Sequence, residues 1–152
     1  MDRKMQMMHY RQLGLMAGLS FIAMYILMYA MVDRLPNVFN NWNQFYMAAL
    51  MTAPMVVIEL VTMRMMYPKT GLNAAIIIAA LVLGALSFIF IRQQTAIGDA
   101  QFLRSMIPHH AGAILMCEQA SLSNPRVRAL CGQIIESQRQ EIAQMKALLG
   151  EI

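Results

Sequence analysis

The sequence predicts an all-α membrane protein: three transmembrane helices followed by a helical hairpin outside the bilayer. Three observations carry this. Of the 152 residues, 59% are hydrophobic and only 13% are charged, against about 25% charged in a soluble domain. Residues 13–32 and 72–91 contain no charge, and residues 42–63 contain only Glu59, so each stretch reaches the roughly 20 apolar residues that span a bilayer. From Asp99 onward, polar residues return around an apolar stripe at helical spacing. The chain therefore divides into a membrane domain, residues 1–95, with spans near 13–32, 43–63 and 72–91, and a hairpin domain, residues 96–152.

The cations set the expected orientation. Arg3, Lys4 and Arg11 precede the first span, Arg64 and Lys69 lie between the second and third, and only Arg34 lies between the first and second. The positive-inside rule then places the N-terminus in the cytoplasm and the hairpin outside it, as in a multi-pass protein of a bacterial inner membrane. Arg92 and Arg104 after the third span act against this asymmetry. The net charge of +4 flanks the spans rather than clustering on a solvated face, which argues against nucleic acid as a partner. The first apolar stretch is longer than the core of a signal peptide, and no A-x-A site follows it, so it reads as a retained anchor.

Within the spans, Trp42, Phe45 and Tyr46 fit an aromatic belt at the outer interface. Pro54 removes a backbone donor and is expected to kink the second helix. Gly84, Ala85 and Ser87 permit close helix contact in the third. Glu59 is the one ionisable residue well inside a span, flanked at helical spacing by Met55 and Met63. Such a carboxylate either receives a cation or proton, pairs across a helix interface, or snorkels to headgroups near Arg64. Fourteen of the 17 methionines precede Pro68. Thioethers suit Cu(I), but most of these side chains read as flexible packing or lipid-facing residues.

The hairpin reads as two amphipathic helices. The first carries Phe102, Leu103, Met106, Ile107, His110, Ala113, Ile114, Cys117 and Ala120 on one face, and the second carries Val127, Leu130, Cys131, Ile134, Ile135, Ile142, Met145 and Leu149. Asn124 is an expected N-cap with Pro125 at the first helical position, and Gly150 an expected close. If the turn centres on Asn124, residues equidistant from it face one another. His110 then lies level with Gln138, Cys117 with Cys131, and Met106 with Ile142, near Glu141 and Met145. Pro108 is expected to disturb the ladder just before His109 and His110. Met106 and His110 share a face, while His109 turns away toward Met116. Imidazole with thioether suits copper, with zinc as the alternative. Cys117 and Cys131 are open to three readings: a disulfide, two thiolate ligands, or buried free thiols. Glu118, Glu136 and Glu141 have no His three residues later, which argues against a di-iron oxidase. No phosphate loop or nucleophile–base spacing points to an enzyme.

The run Asp99, Phe102, Met106-Ile107-Pro108-His109-His110, Ala113, Asn124-Pro125, Ile134, Gln138, Glu141-Ile142 and Met145 resembles the bacterial domain-of-unknown-function family numbered 305. The resemblance covers roughly the last third of the chain. It implies a ferritin-like helical bundle, placement outside the cytoplasm and, for some members, copper binding, with Met106, His109, His110 and Met145 as the suspected ligands. The family domain often holds two hairpins in tandem, whereas this chain has one. A four-helix bundle would then need a second copy of the chain or packing on the membrane helices. The expected function is metal binding, most readily copper buffering, sensing or delivery, with homo-oligomers formed through the hairpin. The alternative is a metal-free scaffold docking on a larger membrane complex such as a transporter or oxidase.

Overall fold

The computed structural model describes residues 3–152 and, among the described residues, contains helices and no strands. Helix α1 spans Arg3–Leu27 and runs into a 3-10 turn, Met28–Met31. A second short turn, Leu35–Asn37, precedes α2, Trp42–Thr62; α3 is Thr70–Gln93, α4 is Asp99–Gln119 and α5 is Pro125–Glu151. Among the described residues, three segments are long and apolar enough to cross a membrane: Lys4–Met31, Trp42–Thr62 and Thr70–Gln93. The first helix is already formed at Arg3, well before the apolar stretch expected to begin near residue 13. Met, Gln, Lys and Arg form helix well without being buried, so the helix outruns its apolar stretch. Helix α2 runs without a break through Pro54.

The chain forms two compact units: Met1–Leu27 with Phe45–Thr95, and Met28–Gln44 with Ala96–Ile152. In the first, Leu13, Leu60 and Tyr67 form a buried cluster, joined by Tyr10, Met16 and Val56. Small residues bring α2 and α3 together: a Cβ on Gly84 would lie 3.3 Å from the Cβ of Ala53, and Ala48, Ala49, Ala80 and Ser87 are buried nearby in sequence. Glu59 is partnered. The Tyr67 hydroxyl donates to its Oε1 at 3.2 Å, and the Tyr67 ring packs on Tyr10 with centroids 5.3 Å apart. Asn73 donates to the Tyr67 carbonyl at 2.7 Å and accepts from the Tyr10 hydroxyl at 2.8 Å. Glu59 is thus the end of a hydrogen-bonded latch tying α1, the α2–α3 loop and α3. Burial, and then the Glu59 carboxylate, raise the Tyr67 phenol above its ordinary value, so it remains a donor.

In the second unit, α4 and α5 pack along one seam. Leu103, Ile107, Ala111 and Ile114 from α4 meet Ile142 and Met145 from α5. The α5 start is as expected: the Asn124 side chain accepts from the Arg126 amide at 2.9 Å with Pro125 at the first turn. The helix continues past Gly150 to Glu151. Pro108 is buried inside an unbroken α4. The segment between the first two spans forms a third layer. Val32 and Phe39 pack on the hairpin core, and a Cβ on Gly112 would lie 3.4 Å from the Met31 carbonyl oxygen. The Trp42 amide donates to Gln101 at 3.1 Å. Lys146 donates to the buried Asn37 at 2.6 Å, and Asn37 donates to Asp33 at 2.6 Å. Part of the cover that a lone hairpin lacks thus comes from the chain's own 28–44 loop.

Candidate functional site in the helical hairpin

Polar chemistry in the hairpin centres on His110. The turn-by-turn spacing of α4 puts it on the flank of the Ile107–Ile114 stripe, where its side chain is 14% exposed. Its Nδ1 is shut off from solvent and lies 3.0 Å from Oε2 of Glu141 on α5, at ion-pair distance but without an aligned hydrogen bond. The other carboxylate oxygen of Glu141 accepts from Ser137 one turn earlier at 2.8 Å. Ser137 thus anchors the carboxylate facing the imidazole, a role absent from the sequence reading although the i, i+4 spacing is visible there.

Burial lowers the His110 pKa; Glu141 opposes this and His109 adds to it. The imidazole is therefore neutral at neutral pH, with a lone pair available on one nitrogen. The His109 ring lies beside it, centroids 6.0 Å apart and planes inclined by 58°, on the exposed side of α4.

The remaining candidates separate. Met145 is buried in the hairpin core and Met106 packs against it half-buried. Met116 is 54% exposed. Cys117 and Cys131 are joined in a disulfide across the hairpin, Cα atoms 5.3 Å apart, which matches the facing pair obtained from a turn at Asn124. Of the three readings for these cysteines the structure has the disulfide, so neither sulfur is a thiolate ligand in this state. Near the bridge, Arg139 pairs with Glu118 at 2.7 Å. Part of the expected apolar stripe is uncovered: Phe102 is 50% exposed, Val127 42% and Leu130 54%. The core concentrates where the 28–44 loop and the open end of the hairpin meet.

Among the described residues, no three His, Cys, Asp or Glu side chains converge as a metal site. The arrangement fits a metal only in part. A shielded, neutral imidazole with a carboxylate beside it and a second imidazole adjacent is a partial donor set.

Residues 91–149 match the family profile described as "Domain of unknown function (DUF305)". The chain is also 35% identical over 142 residues to "Uncharacterized protein L153" of Acanthamoeba polyphaga mimivirus, covering 90% of each chain. That similarity takes in the apolar spans as well as the hairpin. No solved structure matches.

Proposed function

Because the chain belongs to the DUF305 family and the family match falls on the hairpin, we propose that it is a membrane-anchored metal-handling protein whose hairpin binds copper outside the cytoplasm. The observation that carries this reading is His110: an imidazole kept neutral by burial, its Nδ1 facing Glu141, with His109 adjacent. A ligand imidazole must be deprotonated to bind, so burial favours uptake at neutral pH. His109 and His110 would hold the ion, with Glu141 orienting or ligating and Met106 and Met145, in the hairpin core, as the soft donors. Copper suits imidazole with thioether; zinc is the alternative. A bound copper ion would supply a soft Lewis-acid and redox-active centre; this chain's residues would capture and release it.

The location draws support from two features. A cross-helix disulfide suits an oxidising compartment. With three crossings, the 28–44 loop and the chain after Gln93 emerge on the same side, as their joint folding requires. The hairpin is read as half of a ferritin-like four-helix bundle, completed by a second copy through the uncovered Val127 and Leu130.

The test is metal content and copper titration of the detergent-purified protein beside a His109→Ala/His110→Ala variant. Stoichiometric copper that the variant loses supports the reading; no copper in either protein overturns it. The same exposed apolar residues favour a second reading, a metal-free accessory subunit docking on a larger membrane complex. Stable co-purification with one defined membrane complex, without metal, would favour that reading.

A further inference from the structure

We propose that the Cys117–Cys131 disulfide gates a second soft-metal site, which opens on reduction as a two-thiolate Cu(I) site at the turn end of the hairpin. The proposal rests on the metal-handling reading of the hairpin, but it uses other residues. Cys117 lies seven residues, about 10 Å, along α4 from His110, too far to share one ion with it.

The step is a thiol–disulfide exchange. A small thiol attacks one sulfur and forms a mixed disulfide, which a second thiol (another molecule, or the other arm of a dithiol) resolves, so that the reductant leaves as its own disulfide. Two electrons and two protons thereby convert the S–S bond into two thiols. Cu(I) then displaces both thiol protons, and thiolate is a preferred soft donor for it. Both cysteines are partly exposed, so a small reductant reaches them.

Geometry allows the exchange without refolding. A metal–thiolate bond of the zinc type is about 2.3 Å, so an ion held between two sulfurs sets them roughly 4.6 Å apart. Side-chain rotation reaches that from Cα atoms 5.3 Å apart. The position of the bridge supplies the rest of the argument. Every buried hairpin residue lies on the open-end side of it, from Leu103 to Ile114 on α4 and at Ile142 and Met145 on α5. Toward the turn, Val127 and Leu130 are exposed, and the Arg139–Glu118 pair is the cross-helix link near the bridge. Breaking the S–S bond frees the turn end to adjust while the core and the 28–44 loop hold the helices in register.

The experiment titrates Cu(I), against a chromogenic chelator, into full-length protein in detergent. It compares the oxidised protein with protein reduced by a phosphine and desalted without oxygen. The reduced protein is expected to bind about one more equivalent than the oxidised, with an ultraviolet thiolate-to-copper absorption band. Cys117→Ser/Cys131→Ser should lose the increment under both conditions. His109→Ala/His110→Ala should keep it, which separates failure of this proposal from failure of the histidine site. Equal uptake by oxidised and reduced protein would overturn the proposal. So would loss of helical circular dichroism on reduction, because the core must stand without the bridge.

Discussion

Nδ1 of His110 and Oε2 of Glu141 stand 3.0 Å apart across the α4–α5 seam, with the nitrogen closed to solvent and the carboxylate tethered to Ser137. Two opposing influences meet at the imidazole: burial favours the neutral ring, and the carboxylate favours the charged one. Burial prevails.

That balance has a signed consequence. The folded-state pKa of His110 lies below its ordinary value of 6.5, so the unfolded chain takes up the proton first as pH falls. Stability from the neutral ring is complete above pH 6.5 and is lost as pH falls through the lower folded value. The hairpin should therefore destabilise on acidification, and His110→Gln should flatten that dependence. Glu141→Gln should move the His110 titration to still lower pH, followed by NMR of the ring protons. A titration that rises in the variant would mean that Glu141 does not support the charged ring.

The disulfide closes a short loop of 14 residues' separation. Cys117→Ser/Cys131→Ser should cost about 3 kcal/mol of hairpin stability in the chain-entropy description. The loss should be confined to the turn end. Hydrogen exchange would show it as faster amide exchange around residues 115–135, with protection near Ile107 and Ile142 retained.

Gly112 marks the approach of the 28–44 loop to α4. A methyl there meets the Met31 carbonyl oxygen at ordinary contact distance, 3.4 Å, and Ala is worth roughly 0.5–1 kcal/mol over Gly inside a helix. Gly112→Ala should thus be neutral or slightly stabilising. Gly112→Leu should push the loop off α4, seen as new protease cleavage between residues 28 and 44. Resistance equal to the parent protein would place the contact elsewhere.

Gly84 plays the matching part between α2 and α3, where an added Cβ would sit 3.3 Å from that of Ala53. No flexible side-chain end is available there to yield. Gly84→Leu should separate the two helices and lower the thermal unfolding temperature in detergent. Overpacking of this kind typically costs about 1–3 kcal/mol. An unchanged midpoint would show that α2 and α3 have room to shift.

Much of this protein is local and therefore legible in sequence. The three apolar helices follow from runs long enough to satisfy a bilayer. The α5 start follows from Asn124-Pro125, since a cap needs only its own residue and the next turn. The level pairing of Cys117 with Cys131 follows from placing the turn at Asn124. Phe102, Val127 and Leu130 did not follow: periodicity identifies a face, but exposure depends on whether anything covers it.

The sequence by itself determined the helices, the count of apolar spans, the hairpin and its turn, because these depend on hydrophobic runs, caps and short-range spacing. Tertiary structure alone decided that the 28–44 loop folds onto α4, that Asn37 reaches Lys146, that Glu59 meets Tyr67, and that His110 faces Glu141 while Met116 faces out. Each of these depends on how residues of separate elements meet or fail to meet, set by which side chains fill the space between packed helices, and one-dimensional spacing does not encode that distance.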